Sequence, residues 1–130
     1  MNTEAKSDLT KAQRGVVGAV IGIIILTLLE LPPPIGFETR PQDNVSLFWL
    51  VFFLVIVVTE LATIPLIYLR PLLGAKLGML AAALNILQVI ADQAHLLQPE
   101  AAPLGYSLLE GTVVIASLFL IYYALQVKKN

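Results

Sequence analysis

Four apolar runs, at about residues 15–31, 47–68, 72–97 and 103–127, dominate the chain, and each is close to the roughly 20 residues a helix needs to cross the hydrocarbon of a bilayer. Inside a membrane every backbone N–H and C=O must find its partner within the protein. Runs this long and continuous meet that demand as helices, whereas barrel strands would alternate apolar and polar residues. The pattern therefore predicts an all-α membrane protein: a four-transmembrane-helix bundle over residues 15–130. Residues 1–14 are read as a polar cytoplasmic leader, disordered or interfacial.

Composition closes the alternatives. At 58% hydrophobic and 13% charged residues, a soluble domain of this length would have nowhere to put its apolar surface. A net charge of −1 without a basic cluster gives no footprint for nucleic acid. The absence of cysteine removes disulfide exchange, thiolate nucleophiles and Cys-ligated metals. The first run ends in Glu30-Leu31-Pro32-Pro33-Pro34 instead of a small-residue cleavage site, so it reads as a retained span.

Proline punctuates the spans. Pro32-Pro33-Pro34 stops the first, Arg70-Pro71 makes a tight turn between the second and third, and Pro99 with Pro103 closes the third; Pro65 lies within the second and predicts a kink there. Basic residues set the orientation. Lys6, Lys11, Arg14, Arg70, Lys76, Lys128 and Lys129 fall on one side and only Arg40 on the other, which predicts both termini in the cytoplasm. Trp49 and Tyr106 then sit near the outer interface, with Tyr68, Tyr122 and Tyr123 near the inner one.

The informative side chains are those that do not belong in lipid. Glu30, Glu60, Asn85, Gln88, Asp92, His95 and Glu110 lie within or at the edges of the spans, and Asn85, Gln88, Asp92 and His95 follow a helical repeat along one face of the third. A charged group at a helix centre costs about 2.5–3.5 kcal/mol on insertion scales, so these residues are expected to face the bundle interior. Depth sorts them into two tiers. Glu60 and Asn85 fall somewhat past the midplane, where Glu60, Asn85, Gln88 and Thr63 form a candidate ligand-binding set. Asp92, His95, Glu110 and Glu30 lie closer to the outer surface as a candidate polar pocket.

Asp92 and His95, three residues apart, with Glu110 from another helix, also suggest a mononuclear variant of the carboxylate and histidine metal sites of four-helix bundles. A dinuclear centre would need two carboxylate-x-x-His motifs, and the chain has a single histidine. No phosphate-binding loop or nucleophile elbow is present, and the serines lack a nearby base.

From Thr59-Glu60 to Ala124 the chain resembles the DoxX-like group of small four-span membrane proteins. The matching features are Glu60 followed by an apolar run to Arg70 and a short turn, Asn85 with Gln88, and Tyr106-x-x-x-Glu110 leading to Tyr122-Tyr123-Ala124. The resemblance implies a carboxyl-lined four-helix bundle in a prokaryotic cytoplasmic membrane and brings no settled activity.

Three functions compete at this point. The first is a non-catalytic bundle that binds a small apolar ligand, lipid or quinone at the carboxyl and amide site, or acts as the membrane subunit of a larger complex or homo-oligomer. The second is a proton-coupled small-molecule transporter, and the third a metal-dependent membrane oxidoreductase using Asp92, His95 and Glu110.

Overall fold

The computed structural model describes residues 3–129, with the side chains of all of these but residues 3–5 and 44. Four helices make up the fold: α1 (Thr3–Leu29), α2 (Leu47–Leu69), α3 (Pro71–Gln93) and α4 (Leu104–Lys129). Each is long and apolar enough to cross a membrane, and among the described residues there is no strand. The chain is a four-helix, multi-pass membrane protein.

The spans differ from their expected limits in two places. Residues 3–14 of the leader, read as disordered or interfacial, are helical and continuous with the first span in α1. Ala12 is buried in the apolar core, and Gln13 Nε2 donates to the Ile67 carbonyl at 2.9 Å, which ties this stretch to α2. At the other discrepancy α3 stops at Gln93, four residues before the expected end of its run. There the His95 N–H donates to the Asp92 carbonyl and the Leu96 N–H to the Ala91 carbonyl, a paired capping arrangement in which His95 takes the left-handed backbone conformation (φ 63°).

Local chemistry explains the remaining boundaries. Ser46 Oγ accepts from the Trp49 N–H at the start of α2. Arg70 alone separates α2 from α3, with Pro71 occupying the first turn of α3, where its missing N–H costs nothing. The turn is tight enough that a Cβ on Gly74 would lie 2.5 Å from the Ile67 backbone. α2 runs as one helix through Pro65.

The helices form a ring in the order α1, α2, α3, α4, with α1 and α2 the most sparsely packed neighbours. The link from Gln13 to Ile67 places the start of α1 beside the Arg70 turn, and a contact from Arg40 to the Glu100 carbonyl brings the two longer loops together at the opposite end. Successive helices therefore run up and down. The interior divides along its length. Toward the Arg70 end it is mainly apolar, built from Ala12, Val16, Ile67, Ala75, Leu120, Ala124 and Val127. Toward the Arg40 end it holds Glu60, Asn85, Asp92 and Glu110, all buried. Outward faces carry residues such as Ile25, Leu54, Val58, Leu87, Ile115 and Leu118, as a surface in contact with acyl chains requires.

Candidate functional site

The polar half begins with the pair near the middle of the bundle. Asn85 Nδ2 donates to Glu60 Oε1 at 2.9 Å and also to the Ala81 carbonyl one turn back. Glu60 is fully buried (0% exposed), and its Oε2 has no hydrogen-bond partner. Thr63 is not part of this pair, because its hydroxyl donates to the Thr59 carbonyl along its own helix. Gln88, one turn above Asn85, instead lines a cavity at the Arg40 end.

That cavity, of about 150 Å³, lies where α1, α2, α3 and the start of α4 meet beneath the two loops. Glu30, Glu38, Arg40, Gln88, Asp92 and Tyr106 form its polar walls; Leu50, Trp49 and Phe53 form an apolar one. Leu50 is itself half exposed, so one wall of the cavity is formed by a residue that also presents surface on the outside of the bundle.

Arg40 organises the site, and sequence reasoning read it only as a marker of topology. It reaches the interior because residues 32–46 fold back over the bundle end. The Phe37 N–H donates to the Leu29 carbonyl and the Glu38 N–H to the Leu31 carbonyl, and at Gly36 the loop passes so close to these carbonyls that a Cβ would overlap them. Arg40 is then only 7% exposed between Glu38 at 4% and Asp92 at 1%. Its Nη1 and Nη2 donate to the two Asp92 oxygens at 2.8 and 3.0 Å, while Nε and Nη2 donate to Glu38 at 2.5–3.1 Å. A further bond runs from Nη1 to the Glu100 carbonyl, and the guanidinium lies 4.9 Å from the centre of the Tyr106 ring. Loss of hydration opposes the guanidinium charge, but the bonds to Asp92 and Glu38 outweigh it and hold Arg40 above its ordinary value.

Two more groups complete the surroundings. Glu30, the first residue beyond α1, lines the cavity with its Oε1 buried and without a partner. Burial, reinforced by the charges of Asp92, Glu38 and Glu60, pushes its carboxyl up to about 8, against a smaller opposite pull from Arg40. Gln98, in the loop after α3, also lines the cavity; it is 6% exposed and its Oε1 has no partner.

The outer tier read from the sequence is therefore partly regrouped. Asp92 and Glu30 face the cavity, and Glu110 is buried beside it, where it accepts from Gln93 Nε2 at 2.6 Å. His95 does not join them. The helix ends before it, so the expected helical pairing with Asp92 never forms, and His95 is exposed in the cap. The proposed set of Asp92, His95 and Glu110 is thus not assembled, and no three His, Asp or Glu side chains among the described residues are gathered as metal ligands. Glu38, Arg40, Gln98 and Tyr106 enter the site unforeseen. In comparisons with family models, curated proteins and solved structures, nothing matches this chain.

Proposed function

We propose that this protein is a non-catalytic binding module of a prokaryotic cytoplasmic membrane, with the Arg70 end inside, that holds a small amphipathic molecule in the cavity at its Arg40 end. The observation that carries the reading is the cavity itself: polar groups on its floor, Trp49 and Phe53 on its wall, and Leu50 at an edge open to lipid. Such a site offers orientation through a few polar groups and affinity through apolar area, the usual division of labour in small-molecule pockets. The polar end of the ligand meets Glu30, Gln88, Gln98 and Tyr106, and its apolar remainder runs past Leu50 toward the acyl chains. Glu60 and Asn85, which bond to each other deeper in the bundle, serve to fix the register of α2 against α3. A DoxX-like relationship over residues 59–124, which we propose alongside this reading, implies the same carboxyl-lined interior.

The test is what the purified protein keeps. Native mass spectrometry of protein extracted in nanodiscs from its own membranes should show a bound small molecule, and Gln88→Met, which keeps side-chain volume but removes the amide, should lose it. If the unaltered protein retains nothing, and no amphiphile changes the emission of Trp49, the reading fails. Trp49 is the sole tryptophan, so its emission reports on this wall alone.

A further inference from the structure

The chemistry of the ligand's polar end follows from what the cavity has left to offer. An arginine has five N–H donors. In Arg40 all five are directed at Glu38, Asp92 and the Glu100 carbonyl, so the one cation on the cavity wall has no donor left for an incoming anion. Carboxyl groups are in excess around it: Glu30, Glu38 and Asp92 line the cavity against a single guanidinium, and Glu110 is buried next to them. The buried polar atoms of its lining residues that lack a partner are acceptors. Gln98 Oε1 and Glu30 Oε1 are both buried and both lack a partner, and Gln98 as a whole is only 6% exposed. Trp49 and Phe53 add aromatic surface, which attracts cations through the ring face.

Resting on the binding reading above, we propose that the ligand is an amine: an ammonium head with an apolar tail, received by the Glu30 carboxyl and Gln98 Oε1 beside Trp49 and Phe53. An ammonium presents three donors and no acceptor, matching the unfilled acceptors, and it brings the positive charge that the carboxyl excess lacks. The tail leaves past Leu50, which lines the cavity and is half exposed on the outside of the bundle, so the ligand enters sideways from the bilayer.

Three probes with the same tail separate the alternatives: decylamine, decanol and decanoate, titrated at neutral pH into the protein in phosphatidylcholine nanodiscs. Trp49 emission and native mass spectrometry give the readouts, corrected for partition into empty discs. Decylamine should bind about tenfold more tightly than either of the others, the ratio that one charge-assisted hydrogen bond supplies. Glu30→Gln should bring decylamine down to the affinity of decanol. Gln98→Leu, which removes an acceptor without changing charge, should weaken decylamine and leave decanol unchanged, and it keeps the inference testable if Glu30→Gln fails to fold. Equal affinities for the three probes, or tightest binding of decanoate, would overturn the amine assignment and leave the binding reading standing. No saturable change with any of the three would overturn both.

Discussion

Arg40 and Asp92, 52 residues apart in sequence, meet through two parallel hydrogen bonds of 2.8 and 3.0 Å at a point where Asp92 is 1% exposed. A buried pair of this kind is costly to break from one side, because the survivor keeps its charge without its partner. Arg40→Met, which leaves the buried Glu38 and Asp92 carboxylates without their shared partner, should therefore destabilise the protein by about 3–5 kcal/mol, the range for removing one member of a buried ion pair. The triple variant Glu38→Leu, Arg40→Met, Asp92→Leu should recover most of that loss, since no charge then remains among the three. Equilibrium unfolding in mixed detergent measures both; a single variant as stable as the unaltered protein would show that the pair is not the fastening described.

The bond between Asn85 and Glu60 is a smaller matter energetically. Interhelical hydrogen bonds inside membranes average about 0.6 kcal/mol and reach about 1.7 kcal/mol. Asn85→Ala leaves both Glu60 oxygens unpartnered and should cost an amount in the upper part of that range. Asn85→Gln can still donate and should cost less. The same unfolding assay ranks them, and equal losses would mean that packing volume, not the donor, is what α3 supplies here.

Glu30 makes stability depend on pH. Its carboxyl titrates near 8 in the folded protein against an ordinary value of 4.5, so between these values the folded state holds a proton that the unfolded chain has released. Stability should fall as pH rises from about 5 to 8 and level off above that, and Glu30→Gln should flatten this slope. Thermal unfolding across the pH series is the check, with parallel slopes in the two proteins as the contrary result.

The same proton bears on amine capture. Asp92, Glu38, Glu60 and Arg40 all act electrostatically on Glu30, and the carboxyls together outweigh the guanidinium. An ammonium arriving at Glu30 takes the place of the proton, so decylamine affinity should increase as pH rises toward 8 and be insensitive to pH in Glu30→Gln. Titrations at successive pH values measure it; a pH-independent affinity in the unaltered protein would dissociate capture from this carboxyl.

Gly36 offers a test that leaves every polar group in place. A Cβ there meets the Leu29 and Leu31 carbonyls, so Gly36→Val should lift the loop, withdraw Arg40 from Asp92 and let water reach the cavity. Trp49 emission should shift to longer wavelength, and in a Phe53→Cys background the new thiol on the cavity wall should gain reactivity toward a water-soluble thiol reagent. The chain's lack of cysteine makes that measurement clean. An unreactive cysteine in the Gly36→Val background would mean that the loop is held by other contacts.

The spans were legible because the hydrocarbon allows one solution to backbone hydrogen bonding, and that solution leaves a mark about 20 residues long. Glu60, Asn85, Asp92 and Glu110 were recognisable as interior residues for the same reason, since a charge or amide on the lipid face is penalised. The end of α3 was not legible. Leu96 and Leu97 prolong the apolar run, but the helix stops at Gln93 through a backbone cap whose left-handed residue is His95, where glycine would have been the recognisable signal. Arg40 was equally hidden. Nothing local in residues 32–46 says that this loop turns inward, because its anchors are the carbonyls at the end of α1 and a carboxylate on α3.

The distance along the chain between Arg40 and Asp92 also orders how the protein is made. When α1 and α2 have entered the bilayer, the loop joining them has Glu38 within reach but no Asp92, which belongs to a segment not yet delivered. Only the arrival of α3 supplies the second carboxylate, and Glu100 follows from the connection to α4. The cover over the cavity thus closes as a late event of biogenesis, and a nascent chain halted after its second helix would keep Arg40 in water.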